Sequence, residues 1–142
     1  MLLSTSKLWN IIVQKCTTIC QGSELCVQDY TRGIPVIAVA LVGGSRTQII
    51  RQQITNIRTK NAGQKVPMVL VIDSPKTEVQ KLAELFNVSV SIDSTNPHKK
   101  GSNPRIAHLV HFTCGEVFRR FPEAGFAIIL EDDLLLSADF MS

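Results

Sequence analysis

The sequence predicts an α/β fold: a mostly parallel sheet with flanking helices. Three observations lead there. Residues 36–42, 68–72 and 126–130 are unbroken apolar runs, the first of them rich in β-branched residues, as expected for buried strands. The segments between them carry apolar residues at helical spacing. Three of the four strand-like segments end at an acid: Asp73, Asp93, and the run Glu131-Asp132-Asp133.

The elements follow in order. Residues 1–33 read as a weakly structured amino-terminal extension, in which Leu8-Trp9-Asn10-Ile11-Ile12-Val13 suits a short helix or a strand and Gly22 and Gly33 interrupt the rest. The regular domain spans residues 34–142. Its first strand, residues 36–42, stops at Gly43-Gly44-Ser45-Arg46, and a helix is predicted from Thr47 because Ile50, Ile54 and Ile57 recur at i, i+4 and i+7. Asn61-Ala62-Gly63 closes that helix. The second strand, residues 68–72, ends at Asp73-Ser74-Pro75. Pro75 is predicted to open the next helix, because the first turn has no use for its missing N–H. Val79, Leu82, Ala83 and Phe86 form that helix's buried stripe. Residues 88–92 alternate, which suggests a short strand exposed on one face. Residues 96–104 read as a polar loop. The clearest helix follows, with Ile106, Leu109, Val110, Cys114, Val117, Phe118 and Phe121 on one face. Pro122 stops it before the last strand. The order β-α-β-α-β-α-β implies parallel pairing with right-handed crossovers, a Rossmann-like half-fold.

Composition excludes several classes. The chain has 142 residues, 44% hydrophobic and 19% charged, so it is neither disordered nor fibrous. Fifteen basic against twelve acidic residues give a net charge of +3, with the basic residues dispersed, which argues against a nucleic-acid partner. Lys99-Lys100 and Arg119-Arg120, the adjacent basic pairs, read as solvated surface. The longest apolar run is far too short to span a membrane, and the amino terminus lacks the apolar core of a signal peptide. Cys16, Cys20, Cys26 and Cys114 have no zinc-site spacing. An early pair could bridge in an oxidising compartment, and all could be thiols in the cytosol. Cys114 reads as a small buried hydrophobe. Asn87-Val88-Ser89 fits the N-glycosylation sequon.

In parallel sheets ligands bind outside the carboxyl ends of the strands. The acids are therefore expected to converge on one edge. Three carboxylates in a row repel unless solvated or bound to a cation, so Glu131-Asp132-Asp133 reads as a Mn²⁺ or Mg²⁺ site for a diphosphate. The plain alternative is an acidic turn capping a helix. Gly43 and Gly44 permit close backbone approach, and Arg46 suits a phosphate or a base. The turn is neither a Walker loop nor Gly-x-Gly-x-x-Gly, and an ordinary strand-to-helix turn reads equally well. Asp73 suits a ribose or nucleobase contact and equally a helix N-cap. His108 and His111 lack a third ligand for zinc. A receiver-like phosphoacceptor fold fits poorly, because the acids follow the fourth strand and not the first.

The stretch Phe121-Pro122-Glu123-Ala124-Gly125-Phe126-Ala127-Ile128-Ile129-Leu130-Glu131-Asp132-Asp133-Leu134, with Ala138-Asp139-Phe140 beyond it, resembles glycosyltransferase family 13, the β-1,2-N-acetylglucosaminyltransferases. Val71-Ile72-Asp73 and residues 40–46 fit weaker segments of that family in the same order. The resemblance covers residues 34–142 and is nearer the branch acting on protein O-mannose than the branch acting on N-glycans. It implies the nucleotide-sugar half of a GT-A fold, a UDP-GlcNAc donor and a mannose-terminated glycan or O-mannosyl glycoprotein acceptor. It also implies Mn²⁺ and a Golgi enzyme held in the membrane by an anchor that this chain does not display. By position, Asp133 would ligate the metal, Asp132 and Glu131 would lie at the donor, Asp73 would read uracil and Arg46 would contact the nucleotide. No catalytic residue is assigned, because the family's general base falls beyond Ser142, and the chain is expected to be a fragment, a short isoform or the product of an incomplete gene, inactive alone. The family's uracil-side histidine corresponds to Leu109 here. A non-catalytic nucleotide-sugar or carbohydrate-binding module is the alternative that this departure suggests.

Overall fold

The computed structural model of the chain describes residues 11–14, 37–43, 46–60, 65–134 and 136. Its elements are β1 (Ile11–Gln14), β2 (Ile37–Val42), α1 (Thr47–Arg58), β3 (Met68–Ile72), α2 (Thr77–Leu85), β4 (Ser89–Ile92), α3 (Asn103–Arg120) and β5 (Phe126–Glu131). One sheet runs in the order β1-β5-β2-β3-β4. Strands β2 to β5 are mutually parallel. The fold is α/β, with the Rossmann-like half-domain expected from the strand-helix alternation.

Strand β1 comes from the stretch read as an extension. It pairs antiparallel with β5, Ile11 opposite Ile129 and Gln14 opposite Phe126, and so forms one edge of the sheet. Cys16, Cys20 and Cys26 lie outside the described residues, as do Ala138-Asp139-Phe140.

Period-two alternation divides the core into two layers. Val39, Leu41, Leu70, Ile72 and Leu130 face α1 and α2, where they meet Ile50, Ile54, Ile57, Val79, Leu82 and Ala83. Ala38, Ala40, Val42, Val69, Val71, Ala127 and Ile129 face α3 and its Leu109 and Val117. The three alanines on that side leave room for Phe112, Phe118 and Phe121 to pack in. All five residues of β3 are buried, which explains its unbroken apolar run. Each fully buried isoleucine or leucine contributes about 1.5–3 kcal/mol from burial alone.

Helix ends depart from the sequence expectations in explicable ways. Helix α2 begins at Thr77, not at Pro75, because Lys76 is still extended, with φ −141° and ψ 109°. It ends where Asn87 adopts φ 52°, while Val88 N–H donates to Ala83 O at 2.8 Å and Asn87 N–H to Glu84 O at 3.1 Å. That double bond is a Schellman cap, and asparagine tolerates the left-handed conformation it needs. Helix α3 starts at Asn103, inside the predicted loop. Ser102 caps it by accepting from Arg105 N–H at 3.4 Å, and Pro104 sits in the first turn.

Two surface readings are also corrected. Ile106 is 47% exposed. The first turn of α3 reaches past the strand ends, where Arg105 and His108, not Ile106, face the sheet. The second face of β4 is covered. Ser91 is buried and donates to Glu116 Oε1 at 2.5 Å. Arg119 and Arg120, read as a solvated pair, both close on that same buried carboxylate, at 2.6 and 2.8 Å. Arg120 also donates to Val90 O at 2.9 Å and so ties the outer edge of β4 to α3. Cys114 is partly buried against the α3-side core, and burial pushes its thiol pKa up.

The hydrogen bond from Arg119, with those from Ser91 and Arg120, outweighs burial and holds the Glu116 carboxyl down at about 2, against an ordinary 4.5. A depressed carboxylate stabilises the fold fully above its ordinary value and loses that contribution as pH falls through its folded value. Glu116→Gln is therefore expected to destabilise the chain by roughly 2–3 kcal/mol at neutral pH. Urea denaturation at a series of pH values should show that gap closing as the pH drops from 4.5 toward 2.

Candidate functional site

The chain runs from β2 to β3 to β4 on one side, then returns through α3 to place β5 on the other side of β2. Strand order therefore reverses between β2 and β5. Open α/β sheets bind ligands at such a point, where the departing loops leave a crevice.

The acidic turn and the glycine turn meet there. Asp132 N–H donates to Val42 O at 2.9 Å, and Gly43 N–H donates to Val71 O at 3.0 Å on the opposite side. Gly43 has φ +145°, and a Cβ on it would overlap the Asp132 side chain. Glycine is thus required twice over, for its backbone angle and for the space that Asp132 fills. Arg46 caps α1 without a side-chain cap bond, and its Nη1 lies 3.9 Å from Asp133 Oδ2. The two side chains are 52% and 32% exposed, so the pair contributes at most about 1 kcal/mol and is easily exchanged for another partner. In the first turn of α1, Thr47 Oγ1 is buried without a hydrogen-bond partner among the described residues. Glu131, the last residue of β5, pairs with Val42 across the ladder and is half-buried.

The other half of the rim is internally neutralised. Asp73 follows β3, two strands from the acidic turn. Its Oδ2 accepts from Arg105 Nε at 2.8 Å and its Oδ1 from Ser74 at 3.2 Å. Asp93 follows β4 and is fully buried. Its Oδ1 accepts from Thr95 N–H at 3.0 Å and from Thr95 Oγ1 at 2.7 Å. His108 Nε2 lies 3.3 Å from Asp93 Oδ2, and that oxygen has no hydrogen-bond partner among the described residues. The His98 ring stands edge-on to His108, with centroids 6.0 Å apart, and Arg105 Nη1 donates to His98 O at 2.7 Å.

The structure thus brings Arg46 to Asp133 and Gly43 to Asp132. Asp73 shares their edge of the sheet but belongs to a separate pair with Arg105. Leu109 is 7% exposed and packs among Val42, Val69 and Val71, while the neighbouring His108 reaches the rim.

Among the described residues no three His, Cys, Asp or Glu side chains gather closely enough to enclose a metal ion. Mg²⁺ and Mn²⁺ do not require such an enclosure, because hard cations of this kind are often held by one or two carboxylates plus substrate phosphates. Asp132 and Asp133 supply oxygen donors, Arg46 a phosphate partner and Thr47 an orphaned hydroxyl, so the residues present fit such an ion with a bound diphosphate.

Three rim residues were not picked out from the sequence as site residues. Arg105 and His108 gain their roles only when α3 folds across the strand ends. Gln53 leaves a trace: it is polar yet falls on the Ile50-Ile54-Ile57 face. It is buried, and its Nε2 donates to the carbonyls of Glu131 and Leu134, each at 2.8 Å.

The fold and rim define a Rossmann-like α/β half-domain with an acidic turn at its switch point. Compared with known proteins, the chain matches no family model and no curated protein.

The crowding at Gly43 makes a direct prediction. Gly43→Ala must strain the backbone and displace Asp132, at an expected cost of about 1–3 kcal/mol. Urea denaturation of the variant beside the parent chain checks it, and equal midpoints would contradict the packing described.

Proposed function

We propose that this chain is the nucleotide-sugar-binding segment of a UDP-GlcNAc-dependent β-1,2-N-acetylglucosaminyltransferase with a GT-A fold, acting on mannose-terminated glycans or O-mannosyl glycoproteins. The observation that carries the reading is the meeting of Asp132-Asp133 with Gly43 and Arg46 at the switch point. The sequence resemblance around the acidic run supplies the substrate class.

In this reading Asp133, with Asp132 beside it, would hold Mn²⁺ or Mg²⁺. Such an ion, when bound, neutralises charge that builds on a departing diphosphate. Arg46 swings from its weak pair with Asp133 to the nucleotide phosphates. The amino-terminal end of α1 adds favourable N–H groups and dipole. Asp132 and Glu131 lie where the donor sugar or ribose would sit. Asp73 would read uracil only by leaving or sharing Arg105, its present partner. The reaction would be inverting: an acceptor mannose hydroxyl attacks the anomeric carbon, the bond to the diphosphate breaks, and a base takes the hydroxyl proton. The resemblance also implies a Golgi setting. No helix of the described residues is long and apolar enough to cross a membrane.

A second reading is favoured by two specific features. Leu109 is buried where the family has a base-contacting histidine, and Asp73 is already neutralised. Both fit a non-catalytic nucleotide-sugar or carbohydrate-binding module.

Calorimetry with UDP-GlcNAc tests the proposal. Binding is expected in the presence of Mn²⁺, to be lost on chelation, and to weaken about tenfold or more in Asp133→Ala. Donor binding that ignores the metal would refute the assignment of Asp133. Binding without transfer to any mannoside, by a chain extended past Ser142, would favour the module.

A further inference from the structure

We infer that Gln53 is a positioning residue for the acidic turn: from inside α1 it sets the backbone curvature that presents Asp132 and Asp133 together. The inference rests on the reading of that turn as a divalent-cation site.

Gln53 is 1% exposed and lies among Ile50, Ile54 and Ile57. A buried amide costs stability unless its polar atoms are matched, and an apolar residue of similar size would fill the same space. Both N–H groups of its Nε2 are used on one segment. They donate to Glu131 O and Leu134 O at 2.8 Å each, so a single amide straddles the two aspartates. The turn's own closing bond, Leu134 N–H to Glu131 O, is longer at 3.3 Å. Gln53 therefore supplies the shorter bonds that close the loop. Its Oε1 is buried with no hydrogen-bond partner among the described residues. Packing alone does not account for a residue that leaves one atom unmatched. A requirement to grip two carbonyls does.

The grip has a mechanical consequence. Asp132 is already fixed on its other side, through its N–H to Val42 O and its side chain against Gly43. Helix α1 starts immediately after Arg46, which faces Asp133. One rigid helix thus carries both the arginine opposite the acids and the amide that shapes their turn. Loss of the amide removes its two bonds to the turn, leaves the longer Leu134-to-Glu131 bond to close it, and lets the two carboxylates drift out of register with Arg46.

The test uses Mn²⁺ alone as probe, with free ion measured by electron paramagnetic resonance well below the melting transition. Gln53→Met keeps length and volume and removes both donors. Its Mn²⁺ dissociation constant is expected to rise about tenfold, as for other groups that orient metal ligands. Amide exchange should accelerate at residues 132–134 while β3 stays protected. A purely structural role would lower the melting temperature and leave the affinity of the folded protein unchanged, and that result overturns the inference. Asp133→Asn separates the two levels. If it abolishes binding and Gln53→Met does not, the positioning role fails and the metal reading stands. If the parent chain binds no Mn²⁺, both fail. Should Gln53→Met not fold, the parent chain still decides: Mg²⁺ titration is expected to shift the Gln53 side-chain amide resonances, and unmoved resonances at saturation overturn the proposal.

Discussion

The parallel pairing of β5 with β2 is the interaction on which the rest of this structure depends. It runs from Ile37 opposite Phe126 to Val42 opposite Glu131, six consecutive pairs. It is also the place where the chain, having built β3 and β4 outward, comes back to the middle of the sheet. The pairing buries Ala127 and Ile129 against α3 and Leu130 against α1 and α2, which joins the two core layers. Its last hydrogen bond, from Asp132 N–H to Val42 O, delivers the acidic turn to the glycine turn. Fold and candidate site are thus consequences of one ladder.

The rim shows how a sheet handles several acids on one edge. Carboxylates taken out of water need cations or hydrogen-bond donors to offset lost solvation. Asp73 has Arg105, and Asp93 has Thr95 and the nearby imidazole of His108. Away from the rim, Glu116 has two arginines and a serine. Asp133 differs: among the described residues its ion pair is a long, exposed one with Arg46. That contrast separates acids with structural tasks from the one best placed to exchange partners, and it supports the proposed cation site more strongly than the bare presence of three acids does.

The same contrast bears on nucleotide recognition. In the proposed enzyme Asp73 reads the base, yet its carboxylate is committed to Arg105, which also holds the His98 carbonyl and so fixes the loop ahead of α3. Leu109 fills the core instead of offering a polar atom. His108, one residue earlier, points to the rim. Base recognition through Asp73 would therefore require that carboxylate to leave or share Arg105.

Hydrophobic periodicity alone determined the element order, the buried stripes of α1 and α2, and the placement of acids at the strand ends. Those follow from local rules: a two-residue repeat for strands, a 3.6-residue repeat for helices, and loops at the carboxyl edge of parallel strands. The antiparallel β1, the true start of α3, the exposure of Ile106 and the burial of Ser91 and Glu116 were decided by tertiary structure. Each depends on which residue from a distant part of the chain covers a given face. The site divides the same way. The sequence marked Arg46, Asp73 and residues 131–133 by type and position. Only the fold could pair Arg46 with Asp133, assign Asp73 to Arg105 and aim Gln53 at two carbonyls 78 and 81 residues further along the chain. Hydrogen bonds and ion pairs across such separations leave no periodic trace in a sequence, because they exist only once the sheet has set the distances.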